Sequence, residues 1–142
     1  YKDTNILSYA AKYASSFYGP FRDAIGSKAK LKSDKKSYQM DYRNFSESLN
    51  EVGLDIKEGA DMIMVKPAMF YLDIISKIKN NFNIPVLAYQ VSGEYSLIKN
   101  AIQRKILKEE AIIESLISYK RAGACAIVTY FAIDIAKKLK KY

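Results

Sequence analysis

At 142 residues, 49% hydrophobic and with three prolines, the chain has the make-up of one packed domain, not of a disordered segment. It has no histidine and a single cysteine, Cys125. This excludes a histidine base, a Ser-His-Asp triad, an intrachain disulfide and a zinc cage built within the chain, and leaves oxygen ligands for any metal. The net charge of +8 favours anionic partners. Nucleic acid is not expected among them, because the lysines are scattered over polar faces. The one dense run, KKLKK at Lys137–Lys141, suits the negative end of a helix. No apolar run approaches the roughly 20 residues of a membrane span, so no membrane association is expected. No signal peptide is evident, and the cysteine usage suits a reducing compartment. The first residue is Tyr1, so the chain reads as a piece of something longer.

The first strand is expected in ILSYAAKY, Ile6–Tyr13, an apolar run that carries Lys12 near its end. A long polar connection follows from Ser15 to Phe45, of the length usually associated with function. Within it, Gly19-Pro20 predicts a turn, Arg22 offers a planar fork for a carboxylate, and Tyr18 and Phe21 could wall off water. FSESLNEVGLDIKEG then predicts a helix, with Ser46 as its cap, Leu49, Val52 and Ile56 on one face and Gly59 at its end.

The second strand, MIMVKPA at Met62–Ala68, has a lysine set in an apolar run. Burying an ammonium costs several kcal/mol unless it is paired, so Lys66 either reaches water from a strand end or loses its proton more easily than usual. A neutral amine attacks ketones and forms Schiff bases. A helix with Leu72, Ile75 and Ile78 follows, then a strand at Val86–Val91. Ser92 and Gly93 stand at the next strand–helix junction. There the Ser92 hydroxyl either caps the helix or, with the N–H groups of the helix start, holds a carboxylate. Helices over Glu94–Leu107 and Glu109–Gly123 lead to a last strand, Ala126–Phe131, with Tyr130 near its end, and a terminal helix. Cys125 reads as a small buried residue.

Apolar strands alternating with amphipathic helices predict an α/β fold with a parallel sheet, whose strand C-terminal ends carry the chemistry. Lys12, Lys66, Ser92 and Tyr130 all lie at such ends. Two ammonium groups in one pocket disfavour each other's protonation. Four strands make half of an eight-stranded barrel or part of an open sheet, and leave two edges that favour aggregation unless covered.

Five blocks, SYAAKYASSFYGPFRDA, SYQMD, EGADMIMVKPAMFYLDII, AYQVSGEY and RAGACAIVTYFA, together resemble the delta-aminolevulinic acid dehydratase (porphobilinogen synthase) family, in order along essentially the whole chain. The resemblance covers the C-terminal part of the family's usual chain. It implies the last four βα units of a (β/α)8 TIM barrel, residues 1–142 being part of one catalytic domain. It further implies condensation of two 5-aminolevulinate molecules into porphobilinogen, with loss of two waters, in tetrapyrrole (heme) synthesis. By resemblance, Lys66 holds the first substrate as a Schiff base and Lys12 the second. Ser92 and Tyr130 bind the first carboxylate beside Tyr89, Arg22 and Gln39 bind the second, and Tyr18 and Phe21 belong to the lid. Lys35 stands where the family usually has arginine, which keeps the charge and loses the bidentate fork. Glu51 falls where many members place an allosteric magnesium ligand. The catalytic zinc or magnesium would be held by residues upstream of Tyr1. The upstream barrel half, a homo-octamer and a cytoplasmic (or plastid) setting are likewise implied. A non-catalytic half-barrel that binds substrate or partner subunits is the alternative. A different lysine aldolase would explain Lys66 without the other blocks.

Overall fold

The computed structural model describes residues 3–26 and 39–139. The elements are β1 (Leu7–Lys12), α1 (Gly19–Ala24), α2 (Ser46–Lys57), β2 (Met62–Lys66), α3 (Leu72–Asn81), β3 (Val86–Tyr89), α4 (Ser92–Gln103), α5 (Glu110–Ala122), β4 (Ala126–Val128) and α6 (Ala132–Leu139). The strands form one parallel sheet in chain order, β1-β2-β3-β4, as expected of successive βα units. β1 and β4 are its edges.

Period-two alternation sorts the strands into two faces. Ile63, Val65, Val86 and Ala88 are fully buried against the helix layer, where Val52, Ile75, Ile78 and Tyr119 meet them. The opposite face holds Met64, Lys66, Leu87 and Tyr89, in register with Ala126 and Val128 on β4. The β4 residues of that face are exposed, Val128 by 38%, which is the reverse of what a finished core would show.

Several local expectations are corrected. Gly19-Pro20 does not make a turn between elements; it begins α1, because a proline in the first turn gives up an N–H that has no helical partner anyway. Ser46 does not cap α2; Asn44 Oδ1 accepts the Glu47 N–H instead. Cys125 is exposed, because it lies at the sheet's open edge rather than in the core. Gly59 and Gly123 do close α2 and α5, with φ of 104° and 115°. None of the described helices is long and apolar enough to cross a membrane.

Candidate active site

The two lysines meet. β1 and β2 run in register at their C-terminal ends, with Lys12 directly opposite Lys66. This pairing depends on an irregularity. Ser8 faces Ile63 and Ala11 faces Val65, so β1 spends three steps where β2 spends two. The extra residue is a bulge at Tyr9-Ala10. Strict alternation from Leu7 would send Lys12 into the helix layer; the bulge returns it to the face of Lys66. It also leaves Tyr9 on that face, its ring centroid 5.3 Å from the Lys66 Nζ.

Lys66 sits under aromatic cover. Its Nζ is 3.9 Å from the centroid of Tyr89 and 5.7 Å from that of Tyr18. Burial pushes the Lys66 amine below the ordinary lysine range, and the Lys12 charge pushes it further the same way. Ring faces favour the ammonium and so act in the opposite direction. Its backbone is held as firmly as its side chain: the Lys66 carbonyl accepts from the Tyr13 N–H at 2.9 Å and from the Tyr18 hydroxyl at 3.1 Å.

On the β3–α4 side, Ser92 is buried in the first turn of α4. It does not cap the helix; its Oγ accepts the Phe21 N–H at 3.1 Å. Glu94 does the capping, with Oε2 accepting the Val91 N–H at 2.7 Å. Its Oε1 accepts the Met69 N–H, also at 2.7 Å. One fully buried carboxylate therefore ties the turn after Lys66 to the start of the helix that carries Ser92. Tyr130 follows β4, 48% exposed, with its ring 5.4 Å from that of Tyr95. Burial, and then the neighbouring Tyr130 phenol, raise the Tyr89 hydroxyl above its usual range.

The β1–α1 side contributes Tyr18, Phe21 and Arg22. Tyr18 is buried, and the Arg22 guanidinium lies 5.3 Å from its ring centroid. The Phe21 ring is exposed, and its contact with the site runs through its backbone N–H. Gln39 is buried next to Met40, whose N–H donates to the Lys12 carbonyl at 3.1 Å. Arg22 and Gln39 both line an open cleft of about 1030 Å³, whose walls include Tyr13, Phe17 and Phe70 but neither lysine. Lys35 lies outside the described residues.

Glu51 is exposed on α2. No group of three or more His, Cys, Asp or Glu side chains gathers among the described residues.

Tyr9, Glu94 and Tyr95 are the site neighbours that motif reading passes over. Only Glu94 left a signal in the sequence, a glutamate three residues after the helix boundary at Val91.

A parallel sheet with two lysines facing each other at adjoining strand ends defines a βα fold whose C-terminal rim is suited to amine chemistry. The model of the family described as delta-aminolevulinic acid dehydratase matches residues 1–138, and the chain belongs to that family. It is 55% identical over 139 residues to the delta-aminolevulinic acid dehydratase of Bradyrhizobium diazoefficiens, covering 97% of this chain and 39% of that protein. It is 56% identical to that of Archaeoglobus fulgidus, covering 99% of this chain and 43% of that one. The crystal structure of the Toxoplasma gondii enzyme in complex with its reaction product, porphobilinogen, superposes with a TM-score of 0.92 at 50% identity, over 96% of this chain and 39% of that chain. The sheet is thus part of that family's TIM barrel, and the chain spans about two fifths of the length of these relatives.

Proposed function

We propose that residues 1–142 are the C-terminal part of the catalytic barrel of a porphobilinogen synthase, which condenses two 5-aminolevulinate molecules to porphobilinogen. The observation that carries this is the register pairing of Lys12 with Lys66, together with the lowered pKa of Lys66. A neutral Lys66 amine attacks the ketone of the first substrate. Loss of one water gives the Schiff base. Lys12, facing it, does the same for the second substrate, and the two imines then lie close enough to be joined. Ser92 and Tyr130 hold the first carboxylate, with Tyr89 over the amine. Arg22, Gln39 and Lys35 hold the second, and Tyr18 and Phe21 belong to the segment that covers the site. Two waters leave over the whole reaction, and each lysine is regenerated.

In this proposal the upstream half of the barrel completes the sheet at the β1 and β4 edges and supplies the zinc or magnesium ligands. The metal contributes Lewis-acid chemistry when bound, and none of the steps above is assigned to it. A homo-octamer and a cytoplasmic or plastid location complete the proposal. The retained lysine pair favours it over a non-catalytic half-barrel, which has no need of a depressed amine.

The test is borohydride trapping with 5-aminolevulinate, followed by peptide mapping, on this chain alone and with the upstream half. An adduct on Lys66 supports the proposal. Its absence in a folded complete barrel gives the non-catalytic alternative its place. Two smaller predictions accompany it. Lys35→Arg restores the bidentate fork and lowers KM with kcat little changed; an equal or higher KM removes Lys35 from the substrate site. Glu51→Gln abolishes stimulation by magnesium if Glu51 is an allosteric ligand, whereas full stimulation in that variant removes the role.

A further inference from the structure

The two carboxylate-binding sets proposed above belong to different elements, yet those elements touch at one spot. The Phe21 N–H donates to the Ser92 Oγ at 3.1 Å, and Phe21 adjoins Arg22 in the chain. Beside this bond, the backbone of Phe17 crosses Gly93. A Cβ on residue 93 would stand 2.4 Å from the Phe17 carbonyl oxygen, 2.7 Å from its Cα and 2.8 Å from its carbonyl carbon. All three are backbone atoms, so no rotamer change relieves the overlap. The segment is pinned again where the Phe17 ring stacks on Phe70, with centroids 5.0 Å apart. Phe70 lies four residues after Lys66.

We propose that this seat, formed by Gly93 and the Ser92 hydroxyl, couples the two substrate positions, so that capture of the first carboxylate at Ser92 and presentation of Arg22 to the second substrate are one event. The inference rests on the functional reading above and adds a positioning residue, Gly93, and a direction of coupling to it. A serine hydroxyl accepts and donates. With the Phe21 N–H on its lone pair, its hydrogen is directed to an acceptor, and a carboxylate is the strongest acceptor the proposed substrate offers. Donation to an anion makes the oxygen a better acceptor in turn, which tightens the bond to Phe21. α1 is then held with Arg22 stacked on Tyr18, whose hydroxyl reaches the Lys66 carbonyl. Linkage requires the reverse as well: docking of α1 must strengthen binding at Ser92.

The experiment uses the complete barrel and Gly93→Ala. The first substrate is loaded at one equivalent and trapped on Lys66. In parallel, single-turnover condensation is followed against increasing second substrate. Levulinate, with the same ketone and carboxylate but no amine, serves as the first-position probe in hydrogen exchange of the Phe21 amide. In Gly93→Ala, trapping on Lys66 is expected to remain possible but to need more of the first substrate, as the linkage requires, while half-saturation by the second substrate rises about tenfold or more, the scale of one lost hydrogen-bonded contact. Levulinate protects the Phe21 amide in the wild type and does not in the variant. Unchanged half-saturation with retained protection overturns the coupling. A wild type that gives no Lys66 adduct overturns the functional reading, and that result is seen before any variant is compared. If Gly93→Ala also loses the Lys66 adduct, an amide-to-ester replacement at residue 21 decides the question. It removes only the N–H, and normal half-saturation by the second substrate in it overturns the proposal.

Discussion

Replacing Lys66 with arginine is expected to abolish the adduct trapped with 5-aminolevulinate and to lower turnover by more than about a thousandfold, the scale on which loss of a covalent nucleophile is felt. Arginine keeps the positive charge and most of the length. It is never neutral near pH 7, so it offers no lone pair to a ketone. The same geometry makes a subtler variant informative. Burial, followed by the facing Lys12 charge, lowers the Lys66 pKa. Lys12→Gln removes the second contribution and leaves the first. The Lys66 pKa then rises towards the ordinary lysine value, and the pH profile of Schiff-base formation at Lys66 moves to higher pH. The rate of trapping of a single substrate, measured from pH 6 to 10, reports this without the condensation step. A profile that stays in place in Lys12→Gln means that the paired register does not tune the amine, and Lys12 is left with only its proposed role towards the second substrate.

The strands were legible because each is a short apolar run rich in branched or aromatic residues between amphipathic helices, and four such runs in one order admit few arrangements. Lys66 was legible because a charge inside such a run is chemically conspicuous. What put Lys12 opposite it was not. The bulge at Tyr9-Ala10 has no mark in LSYAAK, which alternation alone would read with Lys12 facing the helices. Ser92 was visible as a junction residue, but its actual partner is a backbone N–H 71 positions away in the chain, and a backbone donor has no sequence signature. The capping expectation for Ser92 failed for another reason. The helix boundary falls one residue earlier, at Val91, so Ser92 lies inside the first turn rather than at the cap, and the Glu94 side chain takes the Val91 N–H. Gly93 looked like an ordinary helix-start glycine. Only the crossing of Phe17 shows why a side chain is not tolerated there. The exposure of Cys125 and Val128 follows from the open edge at β4, a property of the sheet's extent rather than of the local residues. Local chemistry was therefore readable, whereas contacts between distant backbone segments were not.

Glu94 carries the second large effect. Its carboxylate is fully buried and accepts two backbone N–H groups, from Met69 and Val91. Truncation to alanine strands both donors and opens a cavity, so Glu94→Ala is expected to cost about 3 kcal/mol or more of stability and to loosen the Lys66 turn and Ser92 together. The pH dependence gives a finer test. Burial raises the Glu94 carboxyl from 4.5 to about 7, even though its backbone hydrogen bonds pull the other way. The phenols of Tyr71 and Tyr119 are among the groups its charge acts on. A raised carboxyl holds its proton in the folded state after the unfolded chain has lost it. Between pH 4.5 and about 7 the folded protein binds more protons, so its stability falls as pH rises through that window and the contribution levels off above it. Glu94→Gln cannot titrate. The stability of the wild type relative to this variant should therefore fall by about 3 kcal/mol from the bottom of the window to the top, since a tenfold difference in proton affinity between the folded and unfolded states is worth about 1.4 kcal/mol. Comparing the two proteins at each pH cancels every other titrating group they share. Urea midpoints of both, taken every half pH unit, are sufficient. Parallel curves across the window would mean that the two N–H donors hold Glu94 ionised throughout and fully offset its burial.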